Sequence, residues 1–427
     1  MSIKNKLSLL GVFCATFILN EGFSQSSSST YSSFGIGDFN NSGLTHNQAM
    51  GGLGISYGNG FNVNLVNPAL AVKNTAFNFQ AAFNYSRISA TSDVQKQQLD
   101  GGGLNYVAMS LPVAPGKWAV GLGLNQISSV NYNLSATSAV ENSDLLSVNN
   151  IQGDGGITEA YLQTGFQLFK NFNVGIHGSY VFGSTIRTNQ LVLTDEASGP
   201  VGVSTEYYER LTLSDVAVKG GIHYLQNIGN EKYLNFGAIY HIFGNIKGVE
   251  YAKVADLGQA SDPNSNGDIL SDNVSGSITL PNKLGYGVSF EKINKFVIGL
   301  EAQHQNFSEY RNFNGGSDDL QDAFKVGLGA QFVPNIYSMD NLLDRITFRA
   351  GMEYEKTPYY ISGKSINDIG INFGGSIPMN NLSMMNIALK YGSRGNTENG
   401  LVRENYFKIS LGISINDNTW FYKRVFE

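Results

Sequence analysis

The sequence predicts an all-β protein, a transmembrane antiparallel β-barrel of about 14 strands with an N-terminal plug inside its lumen. Three observations lead there. Composition favours strands and turns, with 50 glycines, 26 phenylalanines, 22 tyrosines and only 15% charged residues. From Phe77 to the C-terminus, apolar and polar residues alternate with a period of two. The connections between these runs alternate between tight and long, the pattern of a barrel with short turns on one side of a membrane and long loops on the other.

The chain opens with a basic start (Lys4, Lys6), an apolar core from Leu7 to Leu19 and small residues near Ser24, the layout of a secretory signal over residues 1–25. That core is shorter than the roughly 18 to 20 apolar residues of a spanning helix, and no later stretch supplies them. Cys14, the only cysteine, falls inside the signal, so no disulfide is expected in the remainder. The net charge of −6 is modest and the basic residues form no run, which argues against nucleic acid as a partner.

Residues 26–73 keep neither a strand nor a helix period, apart from a short helix expected near His46 to Met50. The segment is rich in glycine (Gly51, Gly52, Gly54) and closes on Asn67-Pro68-Ala69. Residues 74–427 are the barrel. Phe77, Phe79, Ala81, Phe83 and Tyr85 share one strand face, and Leu284, Tyr286, Val288 and Phe290 another. The opposite faces carry Lys219, Glu301, Arg349, Glu353, Lys390 and Lys408, charges that a wetted lumen tolerates and a lipid face does not. Inward positions also hold many glycines, among them Gly165, Gly175, Gly327, Gly329 and Gly351. They leave room either for a plug or for the curvature of the wall.

Tight joins are expected at Pro115-Gly116, Lys170-Asn171, Gly229-Asn230, Lys292 to Lys295 and Asn380-Asn381, and long ones at 134–154, 188–210, 250–274, 308–321 and 393–402. The join from Asn335 to Asp344 breaks the rule by being long on the short side.

The phrases Met50-Gly51-Gly52-Leu53-Gly54-Ile55 and Asn67-Pro68-Ala69, with Thr279-Leu280-Pro281 and Phe332-Val333-Pro334 later on, resemble the FadL/TodX (OMPP1) family of outer-membrane transporters of long-chain fatty acids and aromatic hydrocarbons. The resemblance implies a fourteen-stranded barrel closed by an N-terminal hatch (Gly51, Gly52, Gly54, Asn67, Pro68, Ala69) in a Gram-negative-type outer membrane. It also implies passive uptake of a hydrophobic small molecule, with sideways exit at a kinked third strand. Gln126 and Ser128 interrupt the outward face of that strand between Leu124 and Val130, so either a bulge reorients them or the wall is open there. An alternative from a different class is an accessory barrel subunit of a larger outer-membrane secretion or barrel-assembly complex. The aromatic-basic end Trp420 to Glu427 suits an interface anchor or a docking element for a protein partner.

Chemistry is not expected. The five histidines (His46, His177, His223, His241, His304) lack metal spacing. Asp262, Asn264, Asn266 and Asp268 alternate like the first half of a calcium loop, but Asn273 stands where the bidentate glutamate belongs. Weak Ca2+ binding in an outer loop and an ordinary polar turn are both open. Outer-membrane lipids and a hydrophobic ligand are the expected partners.

Overall fold

The computed structural model describes residues 29–418 except 40, 41, 94, 196–198, 203 and 381. The signal segment and the aromatic-basic end therefore lie outside the described residues. Among those described, no helix is long and apolar enough to cross a membrane.

Fourteen antiparallel strands close into a barrel. They are β1 (Phe77–Thr91), β2 (Lys96–Ala114), β3 (Trp118–Ala139), β4 (Leu145–Phe169), β5 (Phe172–Asp195) and β6 (Thr205–Gly229). Next come β7 (Lys232–Ile242 continued by Gly244–Asp256) and β8 (Asp268–Leu280 continued by Lys283–Lys292). The wall is completed by β9 (Phe296–Gln305), β10 (Ala323–Phe332), β11 (Thr347–Ile361), β12 (Lys364–Pro378), β13 (Met384–Arg394) and β14 (Arg403–Asp417). Closure is made by β14 on β1, in register from Arg403 opposite Thr91 to Asp417 opposite Phe77. Two strands are interrupted for identifiable reasons. Pro281 has no N–H to give the ladder, and β8 breaks at Pro281-Asn282. In β7 the break falls at Phe243, whose ring is buried beside His241.

The two faces follow the alternation. Phe83, Leu124, Leu162, Ile176, Tyr286, Met352, Phe373 and Phe407 are exposed outward, an apolar belt far beyond what a soluble surface carries. Lys219, Glu301, Arg349 and Glu353 are buried on the other face, and Lys390 and Lys408 are half-buried there.

The expected tight joins at 115–116, 170–171, 229–230 and 292–295 lie at turns, and Asn381 of the fifth is outside the described residues, but the expected long loops 134–154, 188–210 and 250–274 are mostly strand. Residues β3 adds beyond Leu134 pair with the start of β4, from Ser135 opposite Asn150 to Ala139 opposite Leu146. Likewise Leu191 of β5 still faces Thr205 of β6. Above the membrane both faces are wet, so the apolar alternation that marks a strand in sequence fades while the ladder continues.

Candidate functional site

Residues 29–76 run along the inward face of the wall and touch nearly every strand. A four-residue helix, α1 (Thr45–Gln48), is followed by Gly51 and Gly52, whose φ values of +64° and +82° are left-handed and favour glycine. This turn lets the Met50-Gly51 backbone rest directly on Gly327 and Gly329 of β10 and Gly351 of β11, where any Cβ would overlap it. At Gly165 of β4 an added Cβ would lie 2.6 Å from the Pro68 carbonyl, and at Gly175 of β5 it would meet Pro68 and Ala69. Of the two readings of these inward glycines, room for the segment is the one these contacts satisfy. The bare wall is where the segment lies.

Polar side chains hold what the glycines admit. The buried Glu301 carboxylate of β9 accepts from the amides of Gly54 (2.9 Å), Ile55 (2.8 Å) and Ser56 (2.7 Å) and from the Ser56 hydroxyl (2.9 Å). A carboxylate taken out of water needs such a set of donors. Asn67 caps the 3-10 helix Pro68–Lys73: its side-chain oxygen accepts from the Ala69 amide, while its Nδ2 donates to the Ile55 carbonyl (2.7 Å) and to the Ile222 carbonyl of β6 (3.0 Å). Asn67-Pro68-Ala69 thus sits against the wall, with Pro68 at the first helical position. Elsewhere Lys219 of β6 donates to the Leu65 carbonyl, Gln163 of β4 to the Asn64 carbonyl, and Thr45 pairs with Ser410 of β14.

The wall is discontinuous at the seam between β2 and β3. The β2–β3 ladder starts at Ala114 opposite Trp118 and ends at Tyr106 opposite Asn125. Beyond that point β2 pairs with β1, and β3 pairs with β4 after skipping Ile127. Ile127 is the extra residue of a bulge. It turns Ser128 inward, 1% exposed, where the hydroxyl donates to the Ile36 carbonyl (2.8 Å). Ser128 therefore does not face outward as the unbroken alternation predicted; Gln126 is half-buried at the same place. The freed edge of β3 is partly taken by the chain itself, since Asp38 pairs with Ser129 and Phe39 with Ser128.

Behind the seam lies a cavity of about 420 Å³, lined on the wall side by Gly101 to Asn105 and by Gln126, Ser128 and Ser129. Its far side is ionic. Glu353 of β11 accepts from Lys325 of β10 (2.6 Å) and Lys390 of β13 (2.5 Å), and Ser42 bridges Lys325 and Glu353. Arg394 of β13 joins Asp38 and Asp368 of β12, each at 3.0 Å, and the Tyr406 hydroxyl donates to Asp368. Glu355 and Lys408 complete the lining. Inward parity marks Glu353, Lys390 and Lys408 in the sequence, but nothing there signals that Asp38 and Arg394 would meet.

A family model described as BamG matches residues 3–427. The chain belongs to the BamG family. The FadL/TodX likeness is thereby corrected at the level of family and kept at the level of fold. CymD, a monoaromatic hydrocarbon channel, is 15% identical with a TM-score of 0.57, over 89% of this chain and 99% of that one. The toluene transporter TbuX of Ralstonia pickettii is 13% identical with a TM-score of 0.55, over 88% and 99%. The toluene transporter TodX of Pseudomonas putida is 16% identical with a TM-score of 0.55, over 87% and 96%. At these identities the likeness concerns architecture. No curated protein matches the chain.

The remaining residues singled out from sequence lie elsewhere in this BamG-family barrel. His177 stacks on Tyr161 and lies 3.4 Å from Glu159, and His223 bonds Asn173 and Asn235. These are polar spacers within the wall. In the loop of Asp262, Asn264, Asn266 and Asp268, the Lys253 ammonium takes the carbonyls of Asp262 (2.8 Å) and Ser265 (2.7 Å), while an Asp262 carboxylate oxygen accepts from the Asn264 amide. Among the described residues no group of three His, Cys, Asp or Glu is placed to hold a metal ion.

Proposed function

We propose that this barrel is an outer-membrane channel for amphiphilic small molecules, in which a charged head group occupies the ionic cavity and an apolar tail leaves sideways between β2 and β3. The observation that carries the reading is that the ladder ends at Tyr106 and Asn125, next to Asn105 and Gln126 in the lining of the cavity. A tail passing into lipid gains about 0.8 kcal/mol per buried methylene, whereas a charged head group must keep polar partners throughout. Four acids (Asp38, Glu353, Glu355, Asp368) and four bases (Lys325, Lys390, Arg394, Lys408) supply such partners. They offer little to a bare aromatic hydrocarbon, so a long-chain carboxylate suits the site better than toluene. Residues 26–73 act as the hatch, and Gln126 and Ser128 border the lateral exit. Transport follows the gradient.

A second reading is favoured by the family match, which spans residues 3–427 where the channels share only architecture. In it the chain is an accessory barrel subunit of a larger outer-membrane secretion or barrel-assembly complex, and the seam receives a protein partner. One purification decides between the two. Native mass spectrometry of the barrel extracted in mild detergent is expected to show a bound long-chain amphiphile that is lost in Glu353→Lys. A stoichiometric protein partner with no bound amphiphile would overturn the channel reading and support the subunit.

A further inference from the structure

The join between β10 and β11 spans residues 333–346, whereas the other joins at that end span 115–117, 170–171, 230–231, 293–295 and 379–383. Its excess length is built into a compact loop with a short helix, α2 (Leu342–Arg345). The Asn335 amide donates to the Asp344 carbonyl (2.8 Å), the Ser338 hydroxyl to the Asp344 carboxylate (3.2 Å), and Asn341 caps the helix at the Leu343 amide. An ordered loop of this kind ordinarily turns its apolar groups inward. Here Tyr337 is 76% exposed, Met339 92% and Leu343 63%, with Leu342 also exposed.

The loop leans on the neighbouring turn. Asn294 donates to the Tyr337 hydroxyl (2.8 Å), and Lys295 donates to the Pro334 carbonyl (2.6 Å) with its ammonium 5.3 Å from the Phe332 ring centre. Phe332 and Phe348, which flank the loop, are exposed on the outward face, and Ile293 on the neighbouring turn is exposed too, so the loop starts from and returns to the apolar belt. We propose that Tyr337, Met339, Leu342 and Leu343 form an interfacial anchor, seated in the boundary between head groups and acyl chains of the leaflet at the short-turn end. Tyrosine with a lysine reaching past an aromatic ring is the composition that boundary selects. Continuity with the belt favours lipid over a protein as the occupant. The inference rests on the barrel spanning a membrane.

The test uses the full chain in a Cys14→Ser background, where one introduced cysteine is unique. Met339→Cys carrying an NBD label is reconstituted in phosphatidylcholine vesicles, beside Glu231→Cys on another turn of the same end and Phe407→Cys on the belt. The anchor predicts blue-shifted emission at 339, quenching by lipid with a shallow nitroxide and protection from aqueous iodide, with none of these at 231. Emission and iodide quenching at 339 equal to those at 231 would overturn the anchor. So would a blue shift that needs a co-purified protein. An unquenched label at 407 in deep-nitroxide vesicles would instead refute the membrane-spanning reading itself.

Discussion

The luminal segment meets the wall in opposite ways on two sides. Along β9 to β11 the contact is backbone on backbone: Gly327, Gly329 and Gly351 carry no side chain, and Glu301 fixes the turn that follows. Along β2 and β3 the ladder stops, a bulge intervenes, and a cavity opens beside the segment, which reaches the wall there through hydrogen bonds such as Ser128 to Ile36, Ser29 to Asn131 and Tyr106 to Thr45 and through the two-residue pairing of Asp38–Phe39. The first side is built to fix the segment and the second leaves space beside it. Stability should therefore depend on the first side far more than on the second, and the variants below are ordered by that expectation.

Glu301→Ala leaves three buried amides and a hydroxyl without their acceptor and should cost about 4 kcal/mol, read as a lowered urea midpoint of the purified barrel. Glu301→Gln keeps one of the two acceptor oxygens and should cost about half as much. Gly351→Val drives a branched side chain into the Met50-Gly51 backbone, which cannot rotate away. A loss of about 3 kcal/mol is expected, with increased protease cleavage within residues 29–76. On the ionic far side of the cavity, Glu353→Gln leaves Lys325 and Lys390 without their counter-charge. Lys390 is partly solvated, so about 2 kcal/mol is expected, together with weakened amphiphile binding. Ser128→Ala removes one hydrogen bond, to Ile36, and should cost about 1 kcal/mol. If the cavity variants Glu353→Gln and Ser128→Ala destabilise more than Glu301→Ala and Gly351→Val at the backbone contact, the contrast between the two sides is wrong.

Sequence made the first side legible and the second only in outline. Inward glycines and the Asn67-Pro68-Ala69 phrase are local signals, because close approach and capping constrain residue type wherever they occur. The third strand was visible as a fault at Gln126 and Ser128, yet a period of two cannot say which residue is the extra one. Once Ile127 is skipped, Ser128 changes face. The ion pairs are invisible for a different reason. Asp38 lies in a segment without periodicity, so its meeting with Arg394 is set by how residues 29–39 thread the lumen. The long join at 333–346 was plain as an anomaly of length, but only its exposed side chains say what the length presents.

The central claim is that an amphiphile uses the seam between β2 and β3. It is tested most directly by photo-cross-linking with a long-chain carboxylate carrying a diazirine near its head group, with sites of attachment mapped by mass spectrometry. Attachment within residues 101–105 and 126–129, competed by unlabelled carboxylate and abolished by Glu353→Lys, is the predicted result. Attachment confined to outward belt residues such as Phe83, Phe373 and Phe407, insensitive to competitor, would contradict it.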